Sequence, residues 1–491
     1  MFKRIVGGNR ALIDTKKVKT RFLSLAFRGA LVDYPNKDKT NEALDAIHET
    51  QKNYIPVSDD EHLIEAPSYW NWSRLGYLTK NHGQTVPTTD FCYIDVGTLD
   101  NVHHSLAAKE NHVSAKDAPS RARKKVQMGD VLYSTVRPYL HNICIVDREF
   151  SRIPIASTAF CVMETIEPVL SNKYLFYWLL STEFDKYSNG DSSKGALYPA
   201  IGEKDLLRGV IPIPSITEQK QIVAKIEEAF SILDTIDTLQ AQYADNLTVL
   251  KGKLIDAAIQ GKLTDQLPED GSADELLAEM LVKKKEIESS GILKGRKKKT
   301  IKTLEDAEVP FQIPDTWRWV RLDAVAEVFG RIGFRGYTKN DIVEQGNGAI
   351  SLSPSNITKD GKITFEKCTY ITWEKYEESP EIMVFDDDII LVKTGSSYGK
   401  CTVVKSLPEK ATINPQLAIL KHVLCNRYYL HIVLNSDMAR KQYEEFVVGA
   451  ATPTFSQEDL ANFLLPLPPL AEQERIVKRL ETLLPICDGI A

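Results

Sequence analysis

The sequence predicts an α+β protein in which two β-rich domains are joined by two long antiparallel helices, arranged as a pseudo-two-fold circular repeat. Three observations predict it: a long apolar stripe at helical spacing, an internal duplication whose halves start at different points, and two strand-rich segments between the helical pieces. With 491 residues, the chain is long enough for several domains, each with its own core.

The stretch Thr217–Asp265 is predicted to form one long amphipathic helix. Thr217 is a suitable N-cap after Pro212 and Pro214, and Gly261 is a suitable end. A straight helix from Thr217 to Gln260 would span about 66 Å, and its apolar stripe needs a partner helix. The stripe comprises Ile222, Ile226, Phe230, Leu233, Ile236, Tyr243, Leu247, Leu250, Leu254 and Ala257.

Four segments occur twice, in the same cyclic order. The first half of the chain begins with the end of the long helix, and the second half finishes with its beginning. The two terminal pieces together would therefore rebuild a second copy, antiparallel to the first, which Gly7 with Gly8 and Pro485 with Gly489 are expected to interrupt. The matching pairs are Pro212–Val223 with Pro466–Val477, Gly195–Pro199 with Gly449–Pro453, Pro67–Leu75 with Pro314–Leu322, and Phe22–Asp33 with Leu254–Asp265.

The duplication divides the chain into seven segments. They are the N-terminal part of the split helical region (1–33), a charged linker (34–66), a first β-rich domain (67–211), the long central helix (212–265), a charged helical linker (266–313), a second β-rich domain (314–465) and a short distal helix (466–491). Strand-like runs are Asp130–Pro138, Asn142–Asp147, Asp388–Gly395 and Cys401–Lys405, and short helices are expected at Asn172–Ser181 and Arg427–Asn435.

The composition is that of an ordinary globular protein, 43% hydrophobic and 26% charged. No run of eighteen apolar residues and no signal-peptide pattern is present, and the seven cysteines form no Cys-x-x-Cys pair. A reduced, cytoplasmic protein without a membrane span or zinc site is expected. The net charge of −6 argues mildly against a dedicated nucleic-acid binder, but it leaves room for local basic faces.

Three motifs resemble nucleotide, methyltransferase or metal sites, but each lacks residues that such a site requires. Gly395–Thr402 resembles a phosphate-binding loop, but one residue is missing between the glycines and Cys replaces Ser/Thr, so a β-turn is the better interpretation. Asn414–Leu417 lacks the second Pro and the aromatic residue of an amino-methyltransferase motif, and we interpret it as a strand start. His103, His104 and His112 have no further ligands at suitable spacing. The sequence therefore predicts no catalytic residue and no metal site.

The positive signal is for nucleic acid, because strand-end loops in both β-rich domains carry cations and small polar residues. A solvated surface explains any single basic run equally well. The loop sequences differ between the domains while the helical pieces agree, which favours two recognition surfaces on one scaffold. The predicted DNA-binding residues are Arg121, Arg123, Lys124, Lys125, Ser134, Arg137 and Tyr139 in the first domain, and Arg331, Arg335, Lys393, Ser396, Ser397, Tyr398 and Lys400 in the second.

These segments resemble the specificity subunit of type I restriction–modification enzymes over nearly the whole chain. The most specific marks are the Pro-x-Pro…Glu-Gln-x-x-Ile-Val helix openings at Pro212–Val223 and Pro466–Val477. The segment Ala258–Leu263 and the Trp-x-Trp-x-x-Leu openings at Trp70 and Trp317 add to them.

The resemblance implies two target-recognition domains, each reading one half of a bipartite site on double-stranded DNA. It implies that the helices set the spacer and dock two methyltransferase subunits, which bind S-adenosylmethionine and through which restriction subunits join. The subunit itself would have no catalytic role, and the short distal helix would form a less complete second docking site. Candidate partner-binding residues are Glu218, Gln219, Val223, Glu227, Glu472, Gln473 and Val477; for the valines, the helix–helix seam is the alternative.

Two rival functions follow from the same residues. A recognition domain fused to a methyltransferase would bind S-adenosylmethionine itself, and the missing motifs argue against it. The other is a coiled-coil adaptor with protein-binding β domains. DNA binding that weakens with salt yet keeps a sequence preference would favour recognition over this adaptor. The target bases cannot be read from the loops.

Overall fold

A computed structural model describes residues 12–35, 41–51, 53–190, 193–194, 199–290, 299–304, 309–331, 336–358, 361–449 and 451–490. Among them, Leu12–Ala241 form one compact unit and the residues from Gln242 onward form the other. Each unit contains one β-rich domain and pieces of helix, so the predicted α+β class is confirmed.

The first unit contains seven helices and fourteen strands within its described part. The helices are α1 (Thr15–Phe27), α2 (Glu42–Thr50), α3 (Leu75–Leu78), α4 (Asn172–Leu179), α5 (Thr182–Asn189), α6 (Glu203–Arg208) and the start of α7 (Ile216–Ile259). The strands are β1 (Asn71–Arg74), β2 (Thr79–Lys80), β3 (Phe91–Ile94), β4 (Leu99–Asp100), β5 (Ser105–Leu106), β6 (His112–Val113), β7 (Ala122–Lys125), β8 (Val131–Ser134), β9 (Ile143–Ile145), β10 (Pro154–Ser157), β11 (Phe160–Thr165), β12 (Ser193–Lys194), β13 (Ala200–Ile201) and β14 (Val210–Ile213).

The second unit repeats this arrangement with fewer strands in its described part. Its helices after α7 are α8 (Ala273–Ser289), α9 (Trp373–Glu377), α10 (Arg427–Leu434), α11 (Asp437–Phe446), α12 (Gln457–Ala461) and α13 (Leu470–Ile490). Its strands are β15 (Arg318–Arg321), β16 (Glu327–Phe329), β17 (Ile342–Val343), β18 (Gly348–Leu352), β19 (Thr369–Thr372), β20 (Met383–Val384), β21 (Ile389–Val392), β22 (Cys401–Val403), β23 (Ala411–Ile413), β24 (Leu417–Lys421) and β25 (Leu464–Leu467).

Each β-rich domain contains two larger sheets. In the first domain the strand orders are β6-β3-β10-β7 and β2-β11-β8-β9, and in the second they are β17-β19-β18-β23-β20 and β16-β24-β21-β22. One pair in each domain, β3–β10 and β18–β23, is parallel. The predicted strands at β8, β9, β21 and β22 and the predicted helices at α4 and α10 are confirmed.

The first and last strands of each domain pair with each other. Strand β1 is antiparallel to β14, with Asn71 opposite Ile213, and β15 is antiparallel to β25, with Arg318 opposite Leu467. The chain therefore enters and leaves each domain at neighbouring points. The helix that follows begins within three residues of the closing strand in both cases.

The long helix α7 begins in the first unit and ends in the second. Helix α1 lies antiparallel to it, because the hydroxyl of Thr15 donates to Asp237 (2.6 Å) while Lys19, one turn later, pairs with Asp234. The same lysine lies 5.5 Å from the ring centre of Phe230. The antiparallel partner expected from the N-terminal piece is thus present at α1, while Gly7 and Gly8 lie outside the described residues.

The expected break at Pro485 and Gly489 is wrong, because α13 continues through Pro485 to Ile490. Proline removes one backbone donor, and the carbonyl left without a partner belongs to Glu481, four residues earlier. Both Pro485 and Glu481 are exposed, so water can satisfy that carbonyl. The cost of the proline is small so close to the end of the helix.

The two segments expected as charged linkers are partly folded into the domains. Helix α2 places Leu44, 1% exposed, in the core of the first unit, and α8 does the same with Met280, 2% exposed, in the second. A few apolar residues at helical spacing are enough to dock an otherwise charged helix. No helix in the described part of the chain is long and apolar enough to cross a membrane.

Equivalent residues join helix to domain in the two units. The first core unites Leu23, Ala26 and Phe27 of α1 with Ile222, Val223 and Ile226 of α7. The second unites Ala258 and Ile259 of α7 with Ile476, Val477 and Leu480 of α13.

Candidate nucleic-acid interface

One hairpin loop in each domain holds many of the polar residues singled out in the sequence. Residues 135–142 join β8 to β9 in the first domain, and residues 393–400 join β21 to β22 in the second. The two loops occupy equivalent places, since the flanking strands lie in the equivalent sheets.

In the first domain, three backbone hydrogen bonds hold the loop from two sides. The N–H of Arg137 donates to the carbonyl of Pro199 (2.8 Å), and the N–H of Ile201 donates to the carbonyl of Thr135 (2.9 Å). From the other side, the N–H of Thr135 donates to the carbonyl of Ala159 (2.8 Å). The loop is thus tied both to the segment before α6 and to the turn after β10.

The second domain repeats these three bonds. The N–H of Gly395 donates to the carbonyl of Pro453 (2.9 Å), and the N–H of Phe455 donates to the carbonyl of Lys393 (3.1 Å). The N–H of Lys393 donates to the carbonyl of Gln416 (2.9 Å). The backbone frame of the loop is therefore the same in both domains, although the side chains it presents differ.

The first loop has two residues in the left-handed conformation, Arg137 at φ 52° and His141 at φ 49°. Between them, Pro138–Leu140 form a single 3₁₀ turn. The ring Nε2 of His141 lies 2.5 Å from a carboxylate oxygen of Asp185 on α5, which fixes the far end of the loop. The loop is thus held at both ends, and Tyr139, 51% exposed, projects from it.

The second loop depends on glycine instead. Gly395 and Gly399 have φ values of 103° and 84°, a region in which glycine alone is unstrained. The N–H of Gly399 donates to the carbonyl of Val392 (2.8 Å) and closes the hairpin. The hydroxyls of Thr394 and Thr454 lie 2.7 Å apart and link the loop to the segment before α12. The expected β-turn at Gly395–Thr402 is confirmed.

The basic run of the first domain lies beside its loop. Strand β7 is an edge strand, and the carbonyl of Arg121 before it accepts from the N–H of Thr158 (2.8 Å), the residue next to Ala159. Arg121 and Lys125 are exposed, and Arg123 is half-buried. One turn, Thr158 with Ala159, therefore bonds both to the start of the basic strand and to the hairpin loop.

Three predicted DNA contacts are corrected, because their side chains are buried and bonded within the domain. Lys124, 7% exposed, pairs with Glu203 at 2.7 Å, and the hydroxyl of Ser134 donates to the carbonyl of Val136 at 2.9 Å. Arg331, 4% exposed, donates to the carbonyl of Ile413 at 3.1 Å. Arg335 lies outside the described residues.

The other predicted residues of the second domain remain at its loop. Ser396 is exposed, and Ser397, Tyr398 and Lys400 are half-buried. Burial lowers the pKa of Lys393, as expected for an ammonium group that has lost part of its hydration. With Thr394, these side chains offer hydroxyl and ammonium donors where the first domain offers a guanidinium and a phenol.

Each domain is fastened to its helix by a buried tryptophan and glutamate. The indole N–H of Trp70 donates to Glu218 (3.1 Å), and that of Trp317 donates to Glu472 (2.7 Å). Both carboxylates sit in the first turn of a helix, where the helix dipole favours negative charge.

The next residue along each helix adds a second fastening. The side-chain carbonyl of Gln219 accepts from the N–H of Ser171 (3.0 Å), and that of Gln473 accepts from the N–H of Asn426 (2.8 Å). Both acceptors therefore satisfy backbone donors at the start of the α4 and α10 helices. The domain core and the helix opening form one bonded structure in each unit.

The family model of the type I restriction modification DNA specificity domain matches residues 314–489. The specificity subunit of the EcoDI type I restriction enzyme of Escherichia coli is 25% identical over 292 residues. The chain is therefore similar to type I restriction–modification specificity subunits, and its residues 314–489 match the DNA specificity domain of that family.

Other specificity subunits are similarly distant from this chain in sequence. The EcoDI alignment covers 58% of this chain and 63% of that subunit, and the EcoAI specificity subunit of E. coli is 28% identical over 55% of this chain and 46% of its own length. The MjaVIII specificity subunit of Methanocaldococcus jannaschii is 24% identical over 67% of both chains. The chain thus spans about half to two thirds of the length of these relatives.

Two solved structures share the fold. A chain from a study of complex assembly and conformational transition of the type I R-M system matches with a TM-score of 0.62 at 23% identity, covering 86% of this chain and 91% of that one. The HsdS subunit of Thermoanaerobacter tengcongensis matches with a TM-score of 0.52 at 22% identity, covering 87% and 92%.

The partner-binding residues predicted from the sequence need correction. The side chains of Glu218, Gln219, Val223, Glu472, Gln473 and Val477 are all less than 9% exposed and belong to the fastenings and cores described above. Polar residues at a helix opening resemble a surface in sequence, but here they point into a domain. Glu227 alone is half-exposed, and it pairs with Lys173 at 2.6 Å.

Sequence reasoning missed the segments that hold the loops, although a signal was present. The repeated Gly-Ala-x-x-Pro motif ends at Pro199 and at Pro453, the two carbonyl acceptors for the loop. A motif kept in both halves beside loops that differ marks the shared backbone frame of the two loops.

We expect Glu218→Gln to remove a pH dependence of stability. Burial raises the pKa of Glu218 above that of the unfolded chain, against the opposing hydrogen bonds from Tyr69 and Trp70. The contribution of such a carboxyl is fully present below the unfolded pKa and is lost as pH rises through the folded pKa. The variant keeps a side-chain acceptor, so we expect it to equal or exceed the wild type at pH 7, with the relative gain fading as the pH falls toward 4.

Denaturant unfolding at both pH values measures this change. Glu228→Gln is the control with the opposite sign, because a hydrogen bond from Lys225 lowers the pKa of Glu228. Removing the Glu228 carboxylate should weaken the protein slightly at pH 7 and less at pH 4. A Glu218→Gln variant that is less stable than wild type at pH 7 would contradict the expectation.

Proposed function

We propose that this chain is the DNA sequence-recognition subunit of a type I restriction–modification complex. Each target-recognition domain would read one half of a bipartite site on double-stranded DNA. The helices would set the spacer between the halves and dock two methyltransferase subunits, through which restriction subunits join. The chain would work in the cytoplasm and perform no chemistry itself, since S-adenosylmethionine is expected in the methyltransferase.

The observation that carries the proposal is the duplicated loop. One backbone frame, made of three equivalent hydrogen bonds, presents Arg137 and Tyr139 in one domain and Ser396 to Lys400 in the other. Arginine, tyrosine, serine and lysine are side chains that bind phosphates and base edges. Two equal frames with different side chains are what a reader of two different half-sites requires.

Co-expression with a methyltransferase subunit, purification of the complex and mapping of methylated adenines in the host genome test the proposal. We expect two short specific sequences separated by a fixed gap. A contiguous single motif, or failure to bind any methyltransferase subunit, would overturn it and favour the adaptor. The complex should also lose DNA affinity with rising salt while it keeps its sequence preference.

A docking surface for the methyltransferase is expected on the exposed side of α7. Ile232 and Leu239 are each 57% exposed and lie seven residues apart, hence on one face of the helix. Aspartate at both positions would place charges in an apolar interface. We expect co-purification of the methyltransferase to fall by roughly tenfold or more, equivalent to about 1.4 kcal/mol, while the unfolding midpoint stays unchanged.

Thr238→Asp provides the control for this double variant. Thr238 is exposed on the same helix, but six residues from Ile232 it faces a different side. It should leave co-purification intact. Equal binding by the double variant and the wild type would place the docking surface elsewhere.

A further inference from the structure

Arg137 has a backbone conformation that arginine rarely adopts. Its φ of 52° and ψ of 60° lie in the left-handed region, where the Cβ atom crowds the following carbonyl. Among residues other than glycine, asparagine, aspartate and histidine are the ones enriched there. A residue held in such a conformation at a surface loop often serves a function.

The internal repeat shows what the fold requires at this position. In the second domain the equivalent residue is Gly395, with φ 103°. Both residues make the same hydrogen bond, from N–H to the carbonyl of Pro199 or of Pro453. Folding thus needs a left-handed backbone and one donor, and glycine supplies both without strain. The loop frame thus fixes the backbone at this position and leaves the kind of side chain unspecified.

The loop holds this side chain in a defined place on the surface. Arg137 is exposed, and its backbone is tied to Pro199. The turn that follows it ends at His141, which Asp185 fixes. A preorganised loop loses little conformational entropy when it binds, which favours selective contacts.

We propose that Arg137 is a specificity-determining residue of the first target-recognition domain, whose guanidinium donates to O6 and N7 of one guanine in its half-site. This inference rests on the proposed function. The planar fork of arginine matches the two acceptors of guanine in the major groove. A phosphate needs only a cation, and the exposed Arg121 and Lys125 supply cations close to the same loop.

The experiment compares variants of the full chain in complex with its methyltransferase subunits. Arg137→Gly removes the side chain and introduces glycine, the residue that the second domain has at the equivalent position. Arg137→Met keeps the backbone and much of the reach without the guanidinium. Arg152→Gly is the charge-matched control, because Arg152 is exposed in the same domain and pairs with Asp90. Methylation motifs are mapped in cells, and methylation rates are measured on oligonucleotides with each base substituted.

We expect both Arg137 variants to accept any base at one guanine of the first half-site, while its other positions and the whole second half stay unchanged. Discrimination at that position should fall roughly 5- to 150-fold. The Arg137→Gly variant should unfold at a temperature no lower than wild type, and Arg152→Gly should keep the full motif.

Three results would overturn the inference. Both Arg137 variants could methylate the same DNA motif as the wild type. Methylation could weaken by the same factor on all sequences, as loss of a phosphate contact predicts. Or Arg137→Gly could lower the melting temperature, which would mean that the side chain supports the fold. If the wild-type complex yields no bipartite motif at all, the proposed function itself fails.

Discussion

Glu472→Ala will lower the free energy of unfolding of the second unit by about 2–4 kcal/mol. The carboxylate is fully buried and accepts three hydrogen bonds, from Trp317 (2.7 Å), Gln266 (2.8 Å) and Thr264 (3.1 Å). Alanine leaves the indole N–H of Trp317 buried without an acceptor, and it opens space between the helix and the domain. Removing one partner of a buried polar contact costs more than the contact contributes.

Thermal or denaturant unfolding, followed by tryptophan fluorescence, measures this loss. Glu474→Ala is the matched control, since Glu474 is exposed on the same helix two residues away and should change stability by less than about 0.5 kcal/mol. Glu472→Gln keeps one acceptor oxygen, so its free energy of unfolding should lie between those of the Glu472→Ala and Glu474→Ala variants. Equal stability of the Glu472→Ala and Glu474→Ala variants would show that the tryptophan–glutamate fastening does not hold the domain to its helix.

If the proposed function holds, Gly399→Ala will abolish methylation that depends on the second half-site. A Cβ atom at Gly399 would lie 2.6 Å from the ring of Tyr443, and the φ of 84° adds backbone strain. Tyr443 cannot move aside, because it is buried and stacks on Phe455 with ring centres 5.4 Å apart. Phe455 in turn donates its N–H to Lys393 of the loop. The strain and the clash together should cost about 2–4 kcal/mol and displace the loop.

Gly346→Ala separates strain from clash in the same domain. Gly346 has a φ of 90°, but a Cβ atom there meets nothing within 4 Å. It should cost about 1–2 kcal/mol from strain alone and leave the methylation motif unchanged. The assay is methylation of DNA by the reconstituted complex, with binding of the first half-site followed separately. Full activity of the Gly399→Ala variant would show that the loop does not read the second half-site.

The repeat and the long helix were predictable because both are carried by spacing within the sequence. An apolar residue every three or four positions from Ile222 to Leu254 allows few structures other than a helix. The burial of Lys124 also had a signal that was overlooked. It lies between Arg123 and Lys125 in a strand, where alternate side chains face opposite sides of the sheet.

The fastenings could not be predicted, because they join residues far apart in the chain. Trp70 and Glu218 are 148 positions apart, and neither residue alone indicates the other. A glutamate at a helix opening reads as a capping or surface residue, and only the fold shows that a domain covers it. The bonds from Arg331 to Ile413 and Thr412 escape prediction for the same reason.

The pairing of β1 with β14 has a consequence for the order of assembly. While the first domain is folded, Asn71 and Ile213 are neighbours, so the connection from α1 to α7 is shortened by the roughly 140 residues of the domain. If the domain unfolded, pairing α1 with α7 would have to close the whole loop between Phe27 and Ile216, about 190 residues, at an entropic cost of roughly 5 kcal/mol. Helix α1 and helix α7 also meet within the core of the domain, where Phe27 and Ile226 belong to the same buried cluster, so their contact depends on the folded domain. The helical pair should therefore form after the domain rather than guide its folding, and in a chain emerging during synthesis the first β-rich domain should fold before α1 pairs with α7.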